Sequence, residues 1–84
     1  MVGDGERADL SARLESATVA LNKAIDIGTL NDTRAIIYHQ ATMRYRRAIR
    51  SALAILATGR PQTAARKLQF ELEMTERWLK DKLK

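Results

Sequence analysis

The chain has 84 residues, of which 45% are apolar and 30% charged, with four aromatic residues and no cysteine. A chain this short holds one domain and buries only roughly 60–65% of the surface that its unfolded form exposes, while the lack of cysteine removes disulfides, thiol nucleophiles and thiolate metal sites together. Its net charge of +5 is unevenly placed: residues 1–33 hold three basic and six acidic side chains, residues 34–67 eight basic and no acidic ones, and residues 68–84 four of each. A partner of the middle segment is therefore expected to be negative.

Residues 1–5 lack the basic start and apolar centre of a signal peptide and read as a disordered tail ahead of a single helical domain over 6–84. The first helix is predicted from Glu6 to Ile27. Leu10, Leu14, Ala17, Leu21 and Ala24 follow one another at steps of four and three, as a coiled-coil-like seam requires. Gly28 is the expected stop, because glycine tolerates the left-handed conformation that ends helices, and Thr29, Asn31 and Asp32 offer capping side chains for a tight connection.

The second helix is predicted from Asp32 to Ala57. At about 100° per residue, Ile37, Tyr38, Ala41, Tyr45, Ala48, Ile49, Ala52, Ile55 and Leu56 fall in one apolar arc. His39, Met43, Arg44, Arg46, Arg47 and Arg50 fall opposite it, so the basic segment reads as a stripe along one helix. Gly59-Arg60-Pro61 interrupts the period. Proline suits a first helical turn, where its missing N–H is not needed, so the third helix runs from Pro61 to Leu83. Ala65, Leu68, Leu72, Leu79 and Leu83 form its main apolar stripe. Phe70, Met74 and Trp78 form a second stripe about 120–160° away. One three-helix bundle cannot easily bury both, so either the second stripe serves a partner or a homodimer through helix three, or Trp78 wraps onto helix one and Phe70 stays half exposed.

Short connections between long helices favour antiparallel neighbours, and the fold class is all-α, an antiparallel three-helix bundle over about 6–27, 32–57 and 61–83. The longest apolar runs, such as residues 51–58, fall far short of the roughly 20 residues of a membrane span. His39 lies on the polar arc without the neighbouring nucleophile or carboxylate that catalysis needs. Glu71, Glu73, Glu76 and Asp81 have no histidine beside them and alternate with Lys80 and Lys82, which reads as a solvated face of ion pairs. No glycine-rich phosphate loop, HExxH or serine elbow occurs. The expectation is a protein that is not an enzyme, without metal or cofactor, in the cytoplasm.

Leu14-Glu15 with Ala17, Lys23-Ala24, Tyr38 with Ala41, Ala48-Ile49 and Leu79-Lys80-Asp81-Lys82-Leu83 together resemble the MIT domains, the microtubule-interacting and transport modules. The likeness spans nearly the whole chain. It implies an antiparallel three-helix bundle whose grooves beside helix three accept a helical or extended peptide with acidic and leucine positions. A second, local likeness covers Thr58-Gly59-Arg60-Pro61-Gln62-Thr63-Ala64-Ala65-Arg66-Lys67-Leu68, which resembles part of the Fis-type DNA-binding helix-turn-helix. The chain then continues through Glu71, Glu73 and Glu76, acidic groups that repel phosphates.

The expected function is a non-catalytic docking module that captures an acidic, leucine-containing segment of a protein partner in a groove next to helix three. Arg44, Arg46, Arg47, Arg50, Phe70, Met74 and Trp78 are its expected contacts. The alternative is a small nucleic-acid-binding regulatory protein, dimeric or not, that meets phosphates through Arg44, Arg46, Arg47, Arg50, Arg66 and Lys67.

Overall fold

The computed structural model describes residues 4–29 and 33–84. Three helices, α1 (Asp4–Gly28), α2 (Arg34–Ala57) and α3 (Pro61–Leu83), make up the fold. Every pair of them is in contact, and the molecule measures 49 × 20 × 18 Å. This is the expected all-α, antiparallel three-helix bundle. α1 starts at Asp4, two residues before the expected Glu6, so Asp4 and Gly5 of the expected tail are helical. Residues 1–3 of that tail, and the expected start of α2 at Asp32, lie outside the described residues.

The seams follow the apolar spacing. Leu10, Ala17 and Ala24 of α1, Ala41, Tyr45, Ala48 and Ala52 of α2, and Ala64, Ala65, Leu68 and Leu72 of α3 are buried. Seven of these eleven are alanines, so the helices meet on small side chains and approach closely. Leu14, Leu21, Ile49, Leu56 and Leu79 sit half-buried around that centre. Thr42 and Thr75 are buried as well. The Thr42 hydroxyl donates to the Tyr38 carbonyl four residues back at 2.9 Å, so α2 absorbs a hydroxyl into the core at little cost. Leu83, expected on the buried stripe of α3, is 40% exposed in the last turn.

The two glycines near helix ends have different uses. Gly59 follows α2 with φ of 82°, the left-handed region. Its N–H donates to the Leu56 carbonyl at 2.8 Å, and the Thr58 hydroxyl donates to the Ile55 carbonyl at 2.6 Å, so the last carbonyls of α2 are satisfied. Gly28, expected to adopt that conformation, is instead the last residue of α1 and has no positive φ. Its space is taken by a neighbour: a Cβ at residue 28 would lie 3.5 Å from the His39 ring. The end of α1 is closed by Thr29, whose N–H donates to the Ile25 carbonyl at 3.1 Å and whose hydroxyl donates to the Asp26 carbonyl at 2.6 Å.

Replacement of these glycines should therefore act in opposite directions. Gly28→Ala adds an ordinary contact with His39 at a helical residue and should stabilise by about 0.4–1 kcal/mol, whereas Gly59→Ala forces a Cβ into left-handed backbone and should cost roughly 1–2 kcal/mol. Thermal melts of the two variants check the sign. Leu68→Ala, which empties the largest fully buried side chain, should cost roughly 2–5 kcal/mol in denaturant unfolding.

Candidate docking surface

The arginines expected in one stripe divide between the two flanks of α2. Counted from buried Tyr45, Arg46 and Arg50 lie about 100° and 140° to one side, and Arg44 about 100° to the other. Arg44 turns to α3, where its guanidinium carbon stands 4.3 Å from the centre of the Trp78 ring. A planar cation over indole is favourable by about 0.5–1 kcal/mol at an exposed site. Trp78 is half-buried and packs against the core. Phe70 and Met74 are left 57% and 43% exposed. The second stripe of α3 is thus not a single surface, because its largest member is covered from α2.

Arg46, Arg47 and Arg50 remain together. They surround the exposed Met43, and Arg46 and Arg50 also edge a groove between α1 and α2 whose apolar lining is Leu21, Ile49 and Leu53. None of the three guanidinium groups makes an ion pair or hydrogen bond among the described residues. Leu21 and Ile49 were assigned to the core by their spacing. In the bundle they sit half-buried at its outer seam, next to Leu53, which lay outside the expected apolar arc.

The two basic residues that α3 was expected to add lie apart from this cluster. Lys67 is paired with Glu71 at 3.2 Å. Arg66 borders a different cleft, on the α1–α3 side, together with Asp9, Arg13, Phe70 and Glu73. Two further ion pairs among the described residues are also local in sequence, Arg13 with Asp9 at 3.6 Å and Lys84 with Asp81 at 3.9 Å. Gln69 donates to Glu73 at 2.7 Å. Such exposed pairs contribute little to stability, but they neutralise α3 locally. The string Thr58–Leu68 is the end of α2, its left-handed link and the first turns of α3, and α3 continues without a break to Leu83.

A second concavity, a cleft of about 260 Å³, opens between α1 and α3. Ala20 and Ala24 provide the room, Tyr38, Tyr45 and Leu79 the apolar wall, and Lys23, Glu76 and Lys80 the rim. Burial raises the Tyr45 pKa above its ordinary 10, and the nearby Glu76 carboxylate and Tyr38 add to the effect. Among the described residues, no three histidine or acidic side chains gather where a metal ion could be held, and no helix is long and apolar enough to cross a membrane. The chain matches no protein-family model, and no curated protein or solved structure is significantly similar to it.

The Tyr45 environment has a pH signature. Its folded pKa is raised, so the stability linked to it is fully present below pH 10 and is lost as the pH climbs through the folded value. An alkaline titration followed by tyrosinate absorbance should show Tyr45 ionising late, together with unfolding. Tyr45→Phe should remove that late step.

Proposed function

We propose that this chain is a non-catalytic docking module that takes an acidic, leucine-containing helical segment of a protein into the groove between α1 and α2. The observation that carries this reading is the cluster of three unpaired arginines, Arg46, Arg47 and Arg50, set around exposed Met43 on the edge of an aliphatic groove. Leucines at a spacing of three and four residues fit against Leu21, Ile49 and Leu53, and carboxylates between them meet the guanidinium forks of Arg46 and Arg50. The position differs from the expected groove next to helix three, where, of the four arginines Arg44, Arg46, Arg47 and Arg50, Arg44 is the one that turns to α3 and stacks on Trp78.

A protein suits this surface better than a nucleic acid. Three arginines offer few phosphate contacts, and the exposed apolar groups beside them have no use on a phosphate backbone. Arg66 and Lys67 do not extend the cluster, and no aromatic ring stands among its arginines to stack on bases. The resemblance to the microtubule-interacting and transport modules implies a peptide held in the grooves beside helix three, so this reading keeps its mode of binding and moves the site; the cysteine-free composition fits a cytoplasmic setting.

Titration of a labelled amphipathic peptide, with leucines at helical spacing and glutamates between them, tests the proposal by anisotropy. Arg46→Glu with Arg50→Glu should leave the far-ultraviolet circular dichroism unchanged and weaken binding by about tenfold or more, the equivalent of 1.4 kcal/mol. Equal affinity in the two proteins would sink the reading. Tighter binding to DNA or RNA of equal charge, lost steeply as salt rises, would replace it with phosphate recognition.

A further inference from the structure

We infer that the α1–α2 face that carries this groove is covered by the same face of a second copy of the chain, α1 of one copy lying over α2 of the other about a two-fold axis parallel to the helices. The inference rests on the docking reading above and names its occupant.

Of the seven large apolar side chains left exposed among the described residues, four belong to α1 and α2, Val19 and Met43 at 63%, Ile36 at 68% and Leu53 at 48%, and three to α3. Charge then selects what can cover them. The outer side of α1 presents Glu15 and Asp26, both exposed and without an ion pair among the described residues. The outer side of α2 presents Arg46, Arg47 and Arg50, equally unpaired. Within one copy these two sets lie side by side, and each needs a helix laid on top of it.

A two-fold axis running along the helices supplies both at once. It lays α1 of the second copy antiparallel over α2 of the first and repeats the same contact in the opposite sense, the closed, self-complementary arrangement of a two-fold dimer. Rotation about such an axis does not change height along the bundle. Gly28 stands level with His39, and Leu21 with Arg46 and Ile49. Glu15 of the second copy accordingly falls within about one helical turn of Arg50, and its Asn22 within a turn of Met43 and Arg46. Leu21, Ile49 and Leu53 lie beside the axis, where each copy's groove meets the other's.

Charge exchange tests this pairing. Sedimentation velocity of the full chain should show a dimer whose dissociation constant rises with salt. Arg50→Glu alone and Glu15→Arg alone should each weaken the dimer by tenfold or more, because each places like charges at both copies of the contact. An equimolar mixture of the two variants should restore it, since in the mixed dimer both contacts join opposite charges. Circular dichroism melts check that each variant is folded. A chain that stays monomeric at every concentration, or variants that pair as tightly as the parent, would overturn the inference. So would a dimer lost in Phe70→Glu and kept in Arg50→Glu, which would place the contact on α3. A monomeric chain that still binds the acidic peptide would overturn only the identity of the occupant. Failure of peptide binding and self-association together would overturn the docking reading as well.

Discussion

Alanine at the helix seams is the constraint on which the other features depend. With seven alanines among its eleven buried apolar residues, the bundle brings its helices close together and leaves little room between them for longer side chains. Leu68 is the largest fully buried side chain among the described residues, with Leu10 and Tyr45 almost as well covered. Leu14, Leu21, Ile49, Ile55, Leu56 and Leu79 are displaced to the margins of the core and are only half-covered. A small domain already buries a low share of its apolar surface. Packing it on alanine lowers that share further, so some of its apolar surface is left for another chain to cover.

Where that surface emerges decides its chemistry. On the α3 side, Arg44 lies over Trp78 and the ring is half-buried, which uses one arginine and the largest aromatic side chain within the monomer. On the α1 side, Arg46 and Arg50 stand beside Leu21, Ile49 and Leu53. Cations without partners among the described residues at the edge of an aliphatic groove suit the acidic helix proposed for it, and the first helix of the same chain carries exposed Glu15 and Asp26 on its outer side. Specificity on such a face comes from the placing of charge, while the apolar residues supply most of the area.

Much of the fold was legible in the sequence because it rests on period and punctuation. The four-three spacing of Leu10, Leu14, Ala17, Leu21 and Ala24 marked the inner side of α1, and Pro61 marked the start of α3 to the residue. Other features depend on three-dimensional facts that spacing does not carry. Spacing alone already separates Arg44 from Arg50 on the two flanks of α2, but which flank faces α1 and which faces α3 is set by the handedness of the bundle, so the groove that each arginine serves was not legible. Gly28 and Gly59 each sit at a helix end and look equivalent. One is helical and has room for a Cβ in ordinary contact with His39, while the other is glycine because its backbone is left-handed. Thr42 and Thr75 are polar by type but buried, and Leu53 lay just beyond the apolar arc that was taken as the core.

The account stands or falls on whether the α1–α2 face is the one that a second copy of the chain covers. Amide shifts of the full chain, followed by nuclear magnetic resonance from dilute to concentrated solution, measure this directly without altering a residue. The account predicts concentration-dependent shifts along Glu15, Val19, Asn22, Met43, Arg46 and Arg50, with α3 little changed. Shifts confined to Phe70, Met74 and their neighbours on α3, or none at any concentration, would contradict it.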